Sequence, residues 1–141
     1  MDGRFRNIRV AAPFLIGLVL LAISQAVMAQ EAPPQETKGL TVDSKDLLGL
    51  APQIPEMAGY ALRIRQITME PGAVVAHHTH AERPIAVYVI SGEFTEVPDD
   101  GPEITRGPGT HWVEGAEMMH SGANRGQVPT VLIAVDIIPE E

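Results

Sequence analysis

No cysteine occurs among the 141 residues. Disulfides and thiolate metal sites are therefore excluded, and so is a lipid-modified cysteine behind an export signal. Positive charge is scarce: 10 Lys and Arg stand against 18 Asp and Glu, a formal net charge of −8. Three of the basic residues, Arg4, Arg6 and Arg9, precede residue 30, as does Asp2. Beyond that point 7 basic and 17 acidic side chains remain, a net charge of about −10. A field of that sign repels nucleic acid and anionic lipid, so neither is expected as a partner. Long helical patterns are few, and there is no internal repeat. Turn formers are abundant instead: 13 Gly and 12 Pro divide the chain into short apolar runs, as in proteins built of strands. Hydrophobic residues at 45% and charged residues at 20% are those of an ordinary globular domain.

The first 29 residues read as a targeting segment. The three arginines form a positive start, and Val10 to Ile23 (VAAPFLIGLVLLAI) is uncharged and apolar. Val27-Met28-Ala29 then offers small-residue positions for signal peptidase, with cleavage after Ala29. The alternative is an uncleaved single-pass anchor, because residues 10–30 carry no charge and have about the length that spans a bilayer. Either way the remainder is expected to be exported, periplasmic or secreted, with a membrane as partner only if the segment is uncleaved. Residues 30–39 (QEAPPQETKG) are polar and read as a flexible tether. Residues 40–141 are expected to form one domain, roughly 100 residues and enough for a single small core.

Within that domain the apolar pattern is that of strands. Tyr60 to Met69 alternates, with Leu62 and Ile64 expected inward and Arg63 and Arg65 on the solvent face. The phase slips at Gln66, which suggests a bulge there. Glu70-Pro71-Gly72 reads as a turn. Ile85 to Ile90 is a buried strand ended by Ser91-Gly92. Phe94–Val97 and Glu103–Thr105 form a hairpin, and Val128–Ile138 is β-branched and ends at Pro139. Asp43 to Leu48 suggests one short turn of helix. Strands at this spacing predict an all-β sandwich or barrel.

The segment HHTH, residues 77–80, raises the question of a metal site. In a strand His78 and His80 share one side, and His77 takes the other. Two such imidazoles can ligate one ion if further ligands arrive from elsewhere in the fold. Taken alone, the pair could equally be a polar strand end.

Gly72, five residues, His78, one residue, His80 and then Gly92 resemble the first motif of the cupins. His120, three residues and Asn124 resemble the end of the second. The resemblance spans Tyr60 to Ile138. It implies a double-stranded β-helix, a jelly-roll barrel, with His120 joining His78 and His80 around a divalent ion (Zn, Fe, Ni, Mn or Cu), although some relatives bind none. Two positions depart from the pattern. The glutamate ligand's place holds Ile85, and the second motif's P-x-G is replaced by Gly115 and Glu117.

Glu82 continues the even-numbered face of His78 and His80 and is the candidate substitute acid. Pro84 argues for a solvated loop there instead. His77 and Tyr88 are expected outside the barrel, and His111 at a rim beside Trp112. Glu114 and Glu117 are expected in solvent. Met118 is expected to line the mouth with Ile85, Val87 and Val89, and Asn124 to brace the turn after His120. The expected ligand or substrate is a small molecule. Edge strands that need covering, together with the resemblance, imply a homodimer. The function is therefore either a metal-dependent enzyme or a binding protein with a degenerate site.

Overall fold

The structure, a computed structural model, describes residues 32–140. The expected signal peptide or anchor, residues 1–29, lies outside the described residues. Eight strands carry the fold: β1 (Lys38–Gly49), β2 (Tyr60–Thr79), β3 (Ile85–Ser91), β4 (Phe94–Pro98), β5 (Ile104–Arg106), β6 (His111–Glu114), β7 (Met119–Ala123) and β8 (Thr130–Pro139). Among the described residues the only helical feature is a single 3-10 turn, Pro55–Met57. The strands run antiparallel in the order β5-β4-β7-β2-β8-β3-β6, with β1 added on β2. This is the expected all-β barrel of the double-stranded β-helix type.

Strand β2 belongs to both halves of the barrel. Tyr60–Met69 pairs with β8, and Val74–Thr79 pairs with β7. The turn expected at Glu70-Pro71-Gly72 is a bend inside this strand, not a reversal of the chain. Gly72 takes φ +80, its N–H donates to Asn124 O at 2.9 Å, and Asn124 N–H donates to Ala73 O at 2.9 Å. The main-chain groups freed at the handover are thus satisfied across the barrel. The core lies between the two halves and consists of Ile67, Met69, Val87, Val89, Phe94 and Leu132 with their neighbours.

The facing of β2 is opposite to the one expected. Ala61, Ile67 and Met69 are buried, so the odd positions point inward without a slip, and Arg63 and Arg65 point inward with them. Leu62 and Ile64 are 37% and 43% exposed and lie on the outer face. The reason is the partner strand: β8 buries Leu132, Ala134 and Asp136, and the register sets Arg63 opposite Asp136 and Arg65 opposite Ala134. A buried carboxylate calls for a paired cation, and this outweighs the hydrophobicity of two leucine-like side chains. The bulge expected at Gln66 is also displaced. Gln66 stays in register with Ile133, and the shift sits in β1 between Val42 and Ser44.

Asp43 to Leu48 is strand, not a helical turn. Leu47 pairs with Arg63 and Leu48 with Leu62, so β2's free edge recruits the segment and tertiary pairing overrides local preference. A second bulge has a larger consequence. Between Val75↔Gly122 and His78↔His120, β2 uses one residue more than β7. The inward parity therefore changes from odd, at Ala73 and Val75, to even, at His78 and His80.

Gly72 within β2 and Gly92 just after β3 both adopt left-handed backbone, and their surroundings differ. At Gly92 (φ +71) a Cβ would stand 2.5 Å from Pro129 O and 2.7 Å from Thr130 Cα. At Gly72 a Cβ would meet nothing within 4 Å. Gly72→Ala should therefore lose only the left-handed term, about 1–2 kcal/mol. Gly92→Ala should lose roughly 3 kcal/mol or more, because backbone must move as well. Urea unfolding of the two variants checks this; equal losses would show that the close approach at Gly92 is relieved without cost.

Candidate metal centre

His78 stands at the end of β2 and His80 just beyond it, both turned inward by the bulge. His120 lies on β7 directly opposite His78. The three Nε2 atoms converge: His78 to His80 is 3.1 Å and His80 to His120 is 3.0 Å. Nitrogen ligands held 2.0–2.1 Å from one ion at a tetrahedral angle lie about 3.3 Å apart, close to this spacing. The group can hold a metal ion. Each ring is aimed Nε2-first. His78 Nδ1 is held by Ala76 O at 2.8 Å, which puts the ring proton on Nδ1 and leaves the Nε2 lone pair free. The Nδ1 atoms of His80 and His120 are buried without a hydrogen-bond partner among the described residues.

A carboxylate completes the cluster, and it is Glu114. Its Oε2 lies 2.8 Å from His80 Nε2 and 3.5 Å from His120 Nε2. Its Oε1 accepts from Trp112 Nε1–H at 2.7 Å. Trp112 is held in turn by stacking on Phe94 at 5.4 Å and by Arg106 lying 4.5 Å over its ring. One oxygen of Glu114 is therefore tied down, and the other is presented to the histidines. Glu114 had been expected in solvent. As the last residue of β6 it shares parity with Trp112, and both face inward. Register explains why it can serve: Glu114 pairs with Ile85, the position that lacks the acid. Facing side chains on paired strands start about 4.5–5.5 Å apart, so an acid on either strand reaches the same space.

The electrostatics match a site that binds cations. Burial pushes the pKa of His78 and of His120 down, so both rings favour the neutral, ligating form. Burial alone would raise the Glu114 carboxyl. The hydrogen bond to His80, the charge of His120 and the Trp112 N–H outweigh it and hold Glu114 below its ordinary value.

Glu82 is not part of this cluster. It is exposed in the turn after His80, with φ +59, because the chain turns at Ala81-Glu82 and strand parity does not extend past His80. His77 bonds Asp99 at 2.7 Å, and His111 is exposed beside Trp112. Glu117 is exposed. Met118 does not line the cavity, whose apolar wall includes Met69 from β2 instead. Asn124 makes no contact with the cluster. Its Nδ2 donates to Met69 O and Val128 O, and its Oδ1 accepts from Gly126 N–H, so it braces the turn after β7 against β2. Glu96, buried on β4, sits 3.9 Å from His120 Nδ1 and holds Arg106. Only the pairing with Ile85 assigns Glu114 its side, and that pairing is not visible in the sequence.

Comparison with known proteins agrees with this architecture. The family described as Cupin domain matches residues 65–136. Among solved structures, the chain is similar to an RmlC-like cupin from Shewanella frigidimarina, at 21% identity and a TM-score of 0.52, over 76% of this chain and 86% of that one. It is also similar to BH2720 from Bacillus halodurans, at 13% identity and a TM-score of 0.53, over 60% of this chain and 67% of that one. At such identities the likeness concerns the fold alone. No curated protein matches the chain. The family match runs from β2 to β8 and takes in more than half of the residues: the chain belongs to the cupin family.

Proposed function

We propose that the protein binds one divalent metal ion through His78, His80 and His120, with Glu114 as the carboxylate ligand, and uses it on a small organic molecule in the adjoining cavity. The observation that carries this is the convergence of three Nε2 atoms and one carboxylate oxygen at 2.8–3.5 Å in a buried site. Three imidazoles and a carboxylate suit Zn, Fe, Ni, Mn or Cu. Bound there, the ion would supply a Lewis acid facing the cavity. The protein's part is to aim the ligands and exclude water. Ala76 O and Trp112 Nε1 fix His78 and Glu114, and Ile67, Met69, Ile85, Val87 and Leu132 form an apolar wall. The cavity measures about 130 Å³. Cavities of about 150 Å³ accept a benzene-sized guest. The sequence of residues 1–29 supports an exported protein.

One observation favours a second reading. The imidazoles and the carboxylate lining the cavity are already engaged with one another, and the other titratable side chains there, Arg65 and Arg83, are cations. No side chain there is free to act as a general acid or base. A barrel that binds its small molecule without transforming it has this character.

Metal titration separates the parts of the site. At a free concentration 100 times Kd, zinc should stabilise the wild type by about 2.7 kcal/mol. His120→Ala should abolish that gain. Glu114→Gln should weaken binding roughly 10-fold or more, and Glu82→Gln should leave it unchanged. Equal zinc affinity in wild type and His120→Ala would refute the proposed site.

The metal-free protein should also be acid-sensitive. Above about pH 6.5 both folded and unfolded chains carry neutral imidazoles, and the lowered pKa values of His78 and His120 have no effect. As pH falls through about 6.5, the unfolded chain gains protons that the folded chain refuses, and stability drops. Glu114 adds a loss of the same sign below about pH 4.3, where the unfolded chain takes up its proton first. The urea midpoint of the metal-free protein should be lower at pH 5.5 than at pH 7.5. A midpoint that stays level across that interval would show that the two rings are not held neutral by burial.

A further inference from the structure

The cavity wall carries a second charged feature beside the histidines. Only seven basic side chains follow residue 29, and three of them, Arg63, Arg65 and Arg83, gather on a single carboxylate, Asp136. Asp136 is fully buried, and Arg63 takes both of its oxygens, Nε to Oδ1 at 2.9 Å and Nη2 to Oδ2 at 2.6 Å. One guanidinium already balances the carboxylate. Arg65 adds a single bond, Nη2 to Oδ2 at 3.0 Å, and Arg83 comes no nearer than 3.9 Å.

Arg65 and Arg83 both line the cavity that contains His78, His80, His120 and Glu114. Arg65 Nε is buried and has no hydrogen-bond partner among the described residues. Burial pulls the pKa of Arg65 down, and the charge of Asp136 does not make up the difference. Both observations describe a cation with too little negative charge around it. The surplus is local, because the chain as a whole carries −8. A small anion meets a repelling exterior and one attractive pocket.

We propose that Arg65 and Arg83 form the docking site for the carboxylate of a small organic acid whose other end faces the histidine cluster. The statement about that other end rests on the metal reading; the arginine site does not. Register sets the geometry. Arg63, Asp136, Ile85 and Glu114 form one inward row across β2, β8, β3 and β6. Asp136 and Glu114 are thus two strand spacings apart, about 9.6 Å between backbones. Arg65, Arg83 and Glu114 line a cavity of about 130 Å³, so a short or single-ring acid can reach from the arginines to the histidine cluster. The free donors are few, Arg65 Nε and the fork of Arg83. Two carboxylate oxygens use them, whereas the three oxygens of a phosphoryl group would leave acceptors unpaired against an apolar wall.

The test is calorimetric binding to the full chain, metal-free and zinc-loaded. The probes are propanoate, lactate and benzoate, their amides, and inorganic phosphate. At least one acid should bind about tenfold or more tightly than its amide, and Arg83→Gln and Arg65→Gln should each remove that preference. Zinc affinity should fall in neither variant. Should Arg65→Gln fail to fold, Arg83→Gln decides, since Arg83 lies in the loop before β3 and makes only the long contact to Asp136. Amides binding as well as acids, no binding by any of the three acids, or phosphate binding more tightly than all of them would overturn the proposal. So would an unchanged acid preference in Arg83→Gln. If zinc fails to bind wild type while arginine-dependent acid binding persists, the metal reading fails and the carboxylate site stands.

Discussion

The site depends on one extra residue in β2. Up to Val75 the odd positions of this strand face the interior, and from His78 onward the even ones do. A strand without the bulge would keep odd parity, turning His77 inward and His78 and His80 toward solvent. The bulge is held from both sides. His78 Nδ1 binds Ala76 O inside, while the outer edge is met by the preceding segment: Ala76 N–H donates to Thr37 Oγ1 and His77 N–H to Pro34 O. The residues expected to be a loose tether therefore also satisfy the bulge's main chain, and the strand they lead into begins at Lys38. Bulges next to sites re-aim side chains in this way in many sheets.

Register also explains how an acid on β6 reaches the histidines. A ligand set is a demand on a point in space, and a sheet offers that point to side chains from more than one strand. Ile85 and Glu114 are register partners, so a carboxylate on β6 reaches the space beside isoleucine on β3. A glutamate arriving from β6 needs its own support. The Trp112 indole binds one oxygen, Phe94 and Arg106 hold the indole, and Glu96 holds Arg106. Glu96 stands 3.9 Å from His120 Nδ1, so the chain of supports begins and ends at the histidine cluster.

The sequence revealed most of the fold, because its strands are short and bounded by Gly, Pro and Ser. The limits of β3 and of the β4–β5 hairpin were legible for that reason, as was the pairing of His78 with His80. Three parts were not legible, and two of them failed through facing. Leu62 and Ile64 carry the hydrophobicity expected of a core face yet lie outside, alongside Tyr88 and Val113. Arg63 and Arg65 carry the charge expected of a surface yet lie inside. The deciding residue, Asp136, is 73 positions away, and no local pattern announces that it is buried. Glu114 was missed in the same manner. Its strand is four residues long, too short for alternation to be read, and only pairing with Ile85 assigns its side. Asp43 to Leu48 was misread because its strand character comes wholly from the edge of β2.

These facings together give the cavity its character. Along one row the interior holds Arg63 and Asp136, then Ile85, then Glu114. Charge sits at the two ends and an aliphatic side chain lies between them. Each carboxylate in the row is committed: Asp136 to Arg63, and Glu114 to Trp112 and His80. The cationic partners are less fully matched, since Arg65 and Arg83 share an acid that Arg63 has already taken. An ordinary cup-shaped barrel with isoleucine at position 85 and solvent-facing arginines would present an almost neutral, apolar hollow. Inverting β2 by one position adds positive charge to that hollow. With its acid on β6, the row keeps an aliphatic side chain between its two polar ends.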